Sequence, residues 1–509
     1  MSQIDFSKPR LQSFNGIFLI FFTDLAKRIR QNIYILALPF LKNNVFKDYG
    51  VYIYLGLALL VILQFVFSYL SYKKFRFSIQ ENAFHLDHGV IKLSHVEIPF
   101  ERIQNINLQQ NILQQVFNVV GFEIETAGEG TAEIKIKALD KEFASALKSK
   151  LIEEKEKLIS DENESTADND SNYTSTSVSE SQSDSLLFQL DFKTLIKVGV
   201  SSNLFRGVGL LLAFFAYLYN FIMDFISQIY DVNLEEDFKN RIPETVTFIS
   251  FLILAIIIIG FLITVMTTVF KYFDLKIFKN QQNYEVEYGL FKRINKVIKK
   301  AKTQIFEIRA NPVKNIFKIK SVYVSQASSH QLTEKQKIGL VGLSNENINL
   351  LFSSLFQMDY KALNYDIVQS QNRLFFRYFY RSLFFILLLS TAAYFLYLNW
   401  ISISALSLIF LILIYISILK VKKSNIGLNQ DLISIRKGSI DTKFKIVEIY
   451  KLQSVKLSRN IFQRYNGHAD LVVETASGSI TVEYLKLEQA RELLNYLIFK
   501  IESINKDWI

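Results

Sequence analysis

The chain contains no cysteine. Disulfides, thiolate nucleophiles and cysteine-based zinc or iron–sulfur sites are therefore excluded. The patterns that carry common catalytic chemistry are missing too: no P-loop, no nucleophile elbow, no dinucleotide-fold glycine fingerprint and no His-Glu-x-x-His. Histidine is scarce, with 5 residues. His85, His88 and His95 lie close in sequence, near Asp87 and Glu97, but their spacing matches no tetrahedral zinc motif. A strand-surface role is the simpler reading, and neither metal nor cofactor is expected. Proline (5) and glycine (18) are few, whereas phenylalanine (45) is abundant.

What is present points to a membrane. Half of the residues are hydrophobic, yet 21% are charged, too apolar for an ordinary soluble protein and too charged for a bundle buried wholly in lipid. The net charge of +10 favours anionic surfaces such as lipid headgroups. The first residues carry Asp5, Lys8 and Arg10, and no small-residue cleavage site follows a clean apolar core, so a removable signal peptide is not expected.

The longest uncharged run, residues 382–419, is bounded by Arg381 and Lys420. As a helix it would be roughly 57 Å long. That is close to two crossings of a hydrocarbon core about 30 Å thick. Asn399-Trp400 near its centre suits an interfacial turn, so the run reads as a helical hairpin. Residues 207–223 and 246–270 form a second pair, and residues 33–41 and 51–70 a first, six spans in all. Lys27, Arg28, Arg30, Lys73, Lys74 and Arg76 flank the first hairpin; Arg373, Arg377, Arg381, Lys420, Lys422 and Lys423 flank the third. The positive-inside rule then places both termini and the segments between hairpins in the cytoplasm. Residues 14–22 are apolar but too short to span, and read as an interfacial segment or a helix packed on the bundle.

Those segments are copies of one another. Gly89, Gln104, Asn111 and Ala127 recur at an offset of 200 as Gly289, Gln304, Asn311 and Ala327. They recur at an offset of 349 as Gly438, Gln453, Asn460 and Ala476. Fixed-spacing recurrence is the mark of an internal repeat, which governs the whole reading. Copies one and three also share Ile91/Ile440, Leu108/Leu457, Gln114/Gln463 and the tripeptide Glu-Thr-Ala, while copy two has Ser325-Gln326-Ala327 there. Within each copy, apolar residues alternate with polar ones, as in Ile134, Lys135, Ile136, Lys137, the period of half-buried strands. A helix closes each copy, over residues 141–157, 345–356 and 486–502. The fold class is an α+β membrane protein with three β-rich modules, each with a C-terminal helix, alternating with three helical hairpins.

The run Gly89-Val90-Ile91, then Ile98-Pro99-Phe100-Glu101-Arg102-Ile103-Gln104-Asn105-Ile106, then Gln109-Gln110-Asn111 and Thr126-Ala127-Gly128 resembles the bacterial pleckstrin-homology (PH-like) domain membrane proteins of the YdbS/YdbT type, three-domain form. The resemblance implies a curved, seven-stranded, barrel-like sheet closed at one end by a helix. It implies no known reaction. The expected division is an N-terminal segment and hairpin (1–72), module 1 (73–158), an acidic Ser/Thr-rich disordered linker (159–186), an amphipathic segment and hairpin (187–271), module 2 (272–358), a connector and hairpin (359–420) and module 3 (421–509).

The signature Gly, Gln and Asn read as structural: a turn needing a permissive backbone, and side chains that satisfy backbone groups. A basic cluster in copy two, Lys292, Arg293, Lys296, Lys299, Lys300 and Lys302, is the candidate contact for anionic lipid. The alternative is a solvated face that merely obeys the positive-inside rule. The expected function is a non-enzymatic scaffold at the inner membrane face, in envelope stress or tolerance of membrane-active peptides. Its partners would be inner-leaflet lipids and either further copies of itself or a smaller one-domain relative; nucleic acid is not expected. The competing readings are an anionic-lipid sensor and a transporter, for which Gln64, Thr264, Thr267 and Thr391 are the thin intramembrane candidates.

Overall fold

A computed structural model describes residues 6–31, 44–126, 134–164, 185–202, 246–280, 283–327, 337–360, 363–395 and 400–503, with single positions between 203 and 245. Module 1 runs β1 (Arg10–Leu11), α1 (Gly16–Gln31), α2 (Asn44–Lys74), β2 (Arg76–Gln80), β3 (Ala83–His88), β4 (Ser94–Pro99), β5 (Ile103–Gln110), α3 (Ile112–Val116), β6 (Val119–Thr126), β7 (Ile134–Asp140) and α4 (Lys141–Glu164). Module 2 repeats the order as β8 (Ser185–Gln189), α5 (Phe192–Val200), α6 (Val246–Tyr272), β9 (Lys276–Asn280), β10 (Asn283–Tyr288), β11 (Arg293–Lys299), β12 (Thr303–Ala310), α7 (Pro312–Ile316), β13 (Lys320–Gln326), β14 (Ile338–Leu343) and α8 (Asn345–Phe356). Module 3 has β15 (Asp366–Gln369), α9 (Leu374–Phe395), α10 (Trp400–Lys423), β16 (Asn425–Leu428), β17 (Leu432–Gly438), β18 (Thr442–Glu448), β19 (Leu452–Ser458), α11 (Ile461–Tyr465), β20 (His468–Thr475), β21 (Gly478–Lys486) and α12 (Leu487–Ser503).

The described residues form two compact units: residues 1–184, 202–275 and 286–297, and residues 185–201, 276–285 and 298–509. In the first, β1-β2-β3-β4 make one antiparallel sheet, and β7, β6, β5 and β11 follow one another in another. In the second, β14-β13-β12-β18-β17-β16-β15 form a seven-stranded sheet and β19-β20-β21 a three-stranded one. Alternation builds the cores. On β7, Ile134 and Ile136 are buried while Lys135 and Lys137 are exposed. With Phe84, Phe100, Phe122, Leu147 and Leu151 they fill the interior of module 1. Each fully buried Phe or Leu contributes about 1.5–3 kcal/mol relative to an exposed one. Phe306, Phe352 and Phe356 form the equivalent aromatic cluster in module 2.

Among the described residues, three helices are long and apolar enough to cross a membrane: Tyr54–Lys74, Leu254–Tyr272 and Leu374–Thr391. α10 lies antiparallel in sequence order after α9 and packs on it, Phe379 and Phe410 meeting at 5.9 Å, so the third hairpin is seen from both sides. Residues 33–41 and most of 207–223, the expected first helices of the other two hairpins, lie outside the described residues.

The sequence division needs three corrections. A strand precedes each hairpin and pairs with the strand that follows it: Arg10 with Phe77, Gln189 with Lys276 and Gln369 with Asn425. The apolar segment between each such pair of strands is therefore inserted within its module's sheet rather than placed before it. Residues 187–189, expected to open the amphipathic segment, are strand, because their backbone completes the β9 edge. Residues 159–164, assigned to the linker, continue α4, and residues 165–184 lie outside the described residues.

The segment just after each leading strand docks on its own module. Ser13 N donates to Ala138 O at 2.9 Å, and Leu19 of α1 is buried against Val119 and Ala138. In module 2, Leu190, Thr194 and Val198 close on Gly342 of β14, whose φ of +75° and lack of Cβ admit Leu190 Cδ1. In module 3, Gln371 N donates to Tyr484 O at 2.8 Å, and Leu374 is fully buried beside Tyr484. Residues 16–22 thus belong to a helix, entered by a turn at Phe14-Asn15, that packs on the module and on α2, with Phe21 and Phe65 5.6 Å apart.

Candidate functional site: the joints between modules

Neighbouring modules are stitched strand to strand. In the first unit, β5 of module 1 pairs antiparallel with β11: Gln110 opposite Arg293, Gln109 opposite Ile294 and Leu108 opposite Asn295. In the second, β12 of module 2 pairs with β18 of module 3: Ala310 opposite Thr442, Arg309 opposite Lys443, Ile308 opposite Phe444, Glu307 opposite Lys445 and Phe306 opposite Ile446. Moved by the repeat offsets, the three pairs of the first joint fall on the first three of the second. Both joints therefore use the same strands of the repeat in the same register.

The signature residues frame these strands. Gly89, Gly289 and Gly438 have φ of +112°, +113° and +123°, and a Cβ there would lie 2.0 Å from the carbonyl oxygen of Lys92, Lys292 and Asp441. Only glycine fits such a turn. Each of these turns delivers one joint-type strand: β4, β11 or β18. The Asn closes the other strand. Asn111, Asn311 and Asn460 cap α3, α7 and α11, each side chain accepting from a backbone N–H three residues on at 2.8 Å. In modules 1 and 3 the reciprocal bond from Gln114 and Gln463 completes a capping box. Module 2 has Lys314 there, whose Nζ donates to Ser321 Oγ instead. Gln304 is fully buried at the second joint, whereas Gln453 is exposed on β19. Ala327 is buried and Ala476 half-buried. Ala127 and the side chain of Gln104 lie outside the described residues.

The joints carry side-chain chemistry that sequence reading missed. At the first, Gln115 Nε2 donates to Leu290 O at 3.0 Å and to Phe291 O at 3.1 Å. Beside it opens a pocket of about 210 Å³ lined by Gln109, Gln110, Lys141, Asp274, Glu287 and Arg293, among others. At the second, the Glu307 carboxylate is 1% exposed and held by Arg309 Nε at 2.6 Å and Lys337 Nζ at 3.3 Å. Burial by itself would raise its pKa; the Arg309 hydrogen bond and the charges of Arg309, Lys337 and Lys445 outweigh it and hold the carboxyl below its ordinary range. Lys451 Nζ donates to Thr303 O at 2.8 Å, Thr442 Oγ1 donates to Ala310 O at 3.0 Å, and Ile305 of module 2 belongs to the core of module 3. A lone acid inside the apolar strand around Phe306 was the available signal for Glu307.

The basic cluster does not stay together. Lys292 and Arg293 are exposed in and beside the β10–β11 turn, which rests on the end of α6: Leu290 N donates to Phe270 O at 2.9 Å, and Phe270 and Phe291 stack edge-on at 4.7 Å. Lys299, Lys300 and Lys302 stand at the far end of β11, roughly 20 Å along a strand rising about 3.3 Å per residue. Lys296 lies between, on the strand face of buried Ile298. Burial and nearby Lys299 push the Lys302 pKa down. His85, His95 and Glu97 were not grouped as ligands by spacing, yet β3 and β4 pair His85 with Glu97, and their donor atoms lie within 4.8 Å of that of His95. Asp87 engages His95 Nδ1. Thr264, Thr267 and Thr391 hydroxyls bond to carbonyls of their own helices, so these transporter candidates act as helix-internal groups.

The bacterial PH domain family model matches three times, over residues 33–155, 227–355 and 383–499. Each match takes in the apolar helix just ahead of a module, α2, α6 or α10, together with the module strands behind it. The chain is also 23% identical, over 499 residues covering 95% of its length and 96% of the relative, to the UPF0699 transmembrane protein YdbT of Bacillus subtilis (strain 168). Threefold repetition, the shared joint geometry and these matches agree: the chain belongs to the bacterial PH domain family, as a membrane protein carrying three copies of that domain.

Proposed function

We propose that this chain is a non-enzymatic scaffold at the inner face of a bacterial membrane, where six helices hold three cytoplasmic PH-like modules as one strand-joined binding platform. The observation that carries this is the repeated joint: the same strands of the repeat pair in the same register twice. Its partners are further copies of itself or a smaller one-module relative, and a role in envelope stress or tolerance of membrane-active peptides fits such a platform. Affinity purification in mild detergent with mass spectrometry tests it. Recovery of PH-like partners or of co-purifying copies is expected; a lone monomer with substrate-dependent turnover or transport would overturn it. Orientation has its own test: single cysteines near Glu129 and Ser477 should resist impermeant thiol reagents in intact cells, and labelling there would reverse the topology.

A second reading is favoured by one observation, the placement of Lys292 and Arg293 beside the end of α6. Cations at that depth attract anionic headgroups by about 1 kcal/mol each. In this reading the membrane contact is made by these two residues, and replacing Lys299, Lys300 and Lys302 leaves liposome binding unchanged. Equal losses from both sets would remove it.

A further inference from the structure

Each joint takes one strand of the β5 type and one of the β4 type. Three modules supply three of each, and two joints use two of each. Among the described residues, β4 of module 1 ends its sheet, and so does β19 of module 3. We infer that these two edges are the complementary halves of a third joint, formed between two copies of this chain. The inference rests on the scaffold reading above and names its surface and occupant.

Register makes the match specific. Carrying the shared register of the two internal joints to the open edges sets Ser94 opposite Ser458, His95 opposite Leu457 and Val96 opposite Lys456. Exposure shows what is uncovered at the ends. In the turn before the β4-type strand, Phe291 and Ile440 at the internal joints are 46% and 50% exposed, but their counterpart Ile91 is 87% exposed. On the short helix after the β5-type strand, Val313 is 38% exposed and its counterpart Phe462 is 74%. Gln304 on β12 is buried, while Gln453 on β19 stands in the open. Both ends thus display apolar and polar groups that the internal joints cover.

Charge does not protect these edges. Charged residues commonly guard a free strand against pairing. Yet β12 and β18 carry Glu307, Arg309, Lys443 and Lys445 across an intact joint, so Glu97 and Lys456 are no bar to the same contact. A β4 edge meeting a β19 edge is heterologous: the head of one copy meets the tail of the next, and each copy keeps its other edge for a further neighbour.

The absence of native cysteine gives a clean test. One full-length copy carries S94C and a second, differently tagged, carries S458C; they are co-expressed and their membranes oxidised. Residues directly opposite on antiparallel strands have Cα atoms about 4.5–5.5 Å apart. That lies within the disulfide range of about 4.4–6.8 Å. Q109C with I294C in one chain, the equivalent pair of the first joint, is the internal-joint control, mapped by mass spectrometry of linked peptides. Expected is a disulfide dimer bearing both tags, well above the S94C–S94C and S458C–S458C species and above S94C with L457C, one residue out of register. Absence of that dimer while the control links overturns the inference and leaves the scaffold reading standing. Capture of a different protein by S94C in place of the second copy overturns it too. Failure of the control overturns the joints themselves, and the scaffold reading with them.

Discussion

The two joints have the same backbone and different side chains. The first aligns Gln109, Gln110 and Leu108 with Ile294, Arg293 and Asn295, and latches with Gln115 on two carbonyls. The second buries Glu307 among Arg309, Lys337 and Lys445, and lends Ile305 to its neighbour's core. The comparison teaches that register is set by the frame: a glycine turn that starts one strand and an asparagine cap that ends the other. The side chains then decide how strongly each joint holds. The first is latched by an uncharged amide on two backbone carbonyls; the second is ionic and apolar.

That division can be broken in order of size. Replacing Glu307 by Ala should cost most, about 3–5 kcal/mol, because it strands buried cations. Hydrogen exchange should then quicken on β12 and β18 and stay unchanged on β5 and β11; equal loosening of both would show that the joints are not separate. The same residue predicts an acid response. Its folded pKa lies below its unfolded one, so the stability it confers is full above about pH 4.3, the ordinary Glu value, and is lost as pH falls through the folded pKa. The second joint should loosen as pH falls below about 4.3, the first, whose paired residues include no carboxylate, should not, and E307Q should flatten the difference. Next comes G438A, where the new Cβ meets the Asp441 carbonyl; about 1–3 kcal/mol of backbone strain is expected, read as a lower melting temperature of the detergent-solubilised protein and faster exchange at β18. N460A should cost about 1 kcal/mol through the lost cap, read the same way. Smallest is Q115A, about 0.5–1.5 kcal/mol, which should raise exchange at Ile294 and Asn295 alone.

Much of this frame was legible in the sequence. The Gly and Asn positions marked the repeat because each is the residue type its backbone site demands. Alternation at Ile134 and Ile136 found strands, and the closing helices were found within a few residues except α4, which continues to Glu164. The joints themselves were not legible. Edge pairing is made by backbone N–H and C=O groups, so β5 and β11 look like any other strands. The leading strands were missed for a related reason: β1 is two residues long, and Gln189 meets Lys276 only across an entire hairpin. The spread of the basic cluster was not legible either, because a charge count ignores strand geometry: Lys292 precedes β11 and Lys302 follows it.

The claim that adjoining modules share one strand register is tested most directly by disulfide mapping inside a single chain. Q109C with I294C, and R309C with K443C, should each link efficiently on oxidation in native membranes, while the shifted pairs Q109C with N295C and R309C with F444C should link poorly. Equal or stronger linking of the shifted pairs at either joint would contradict the account.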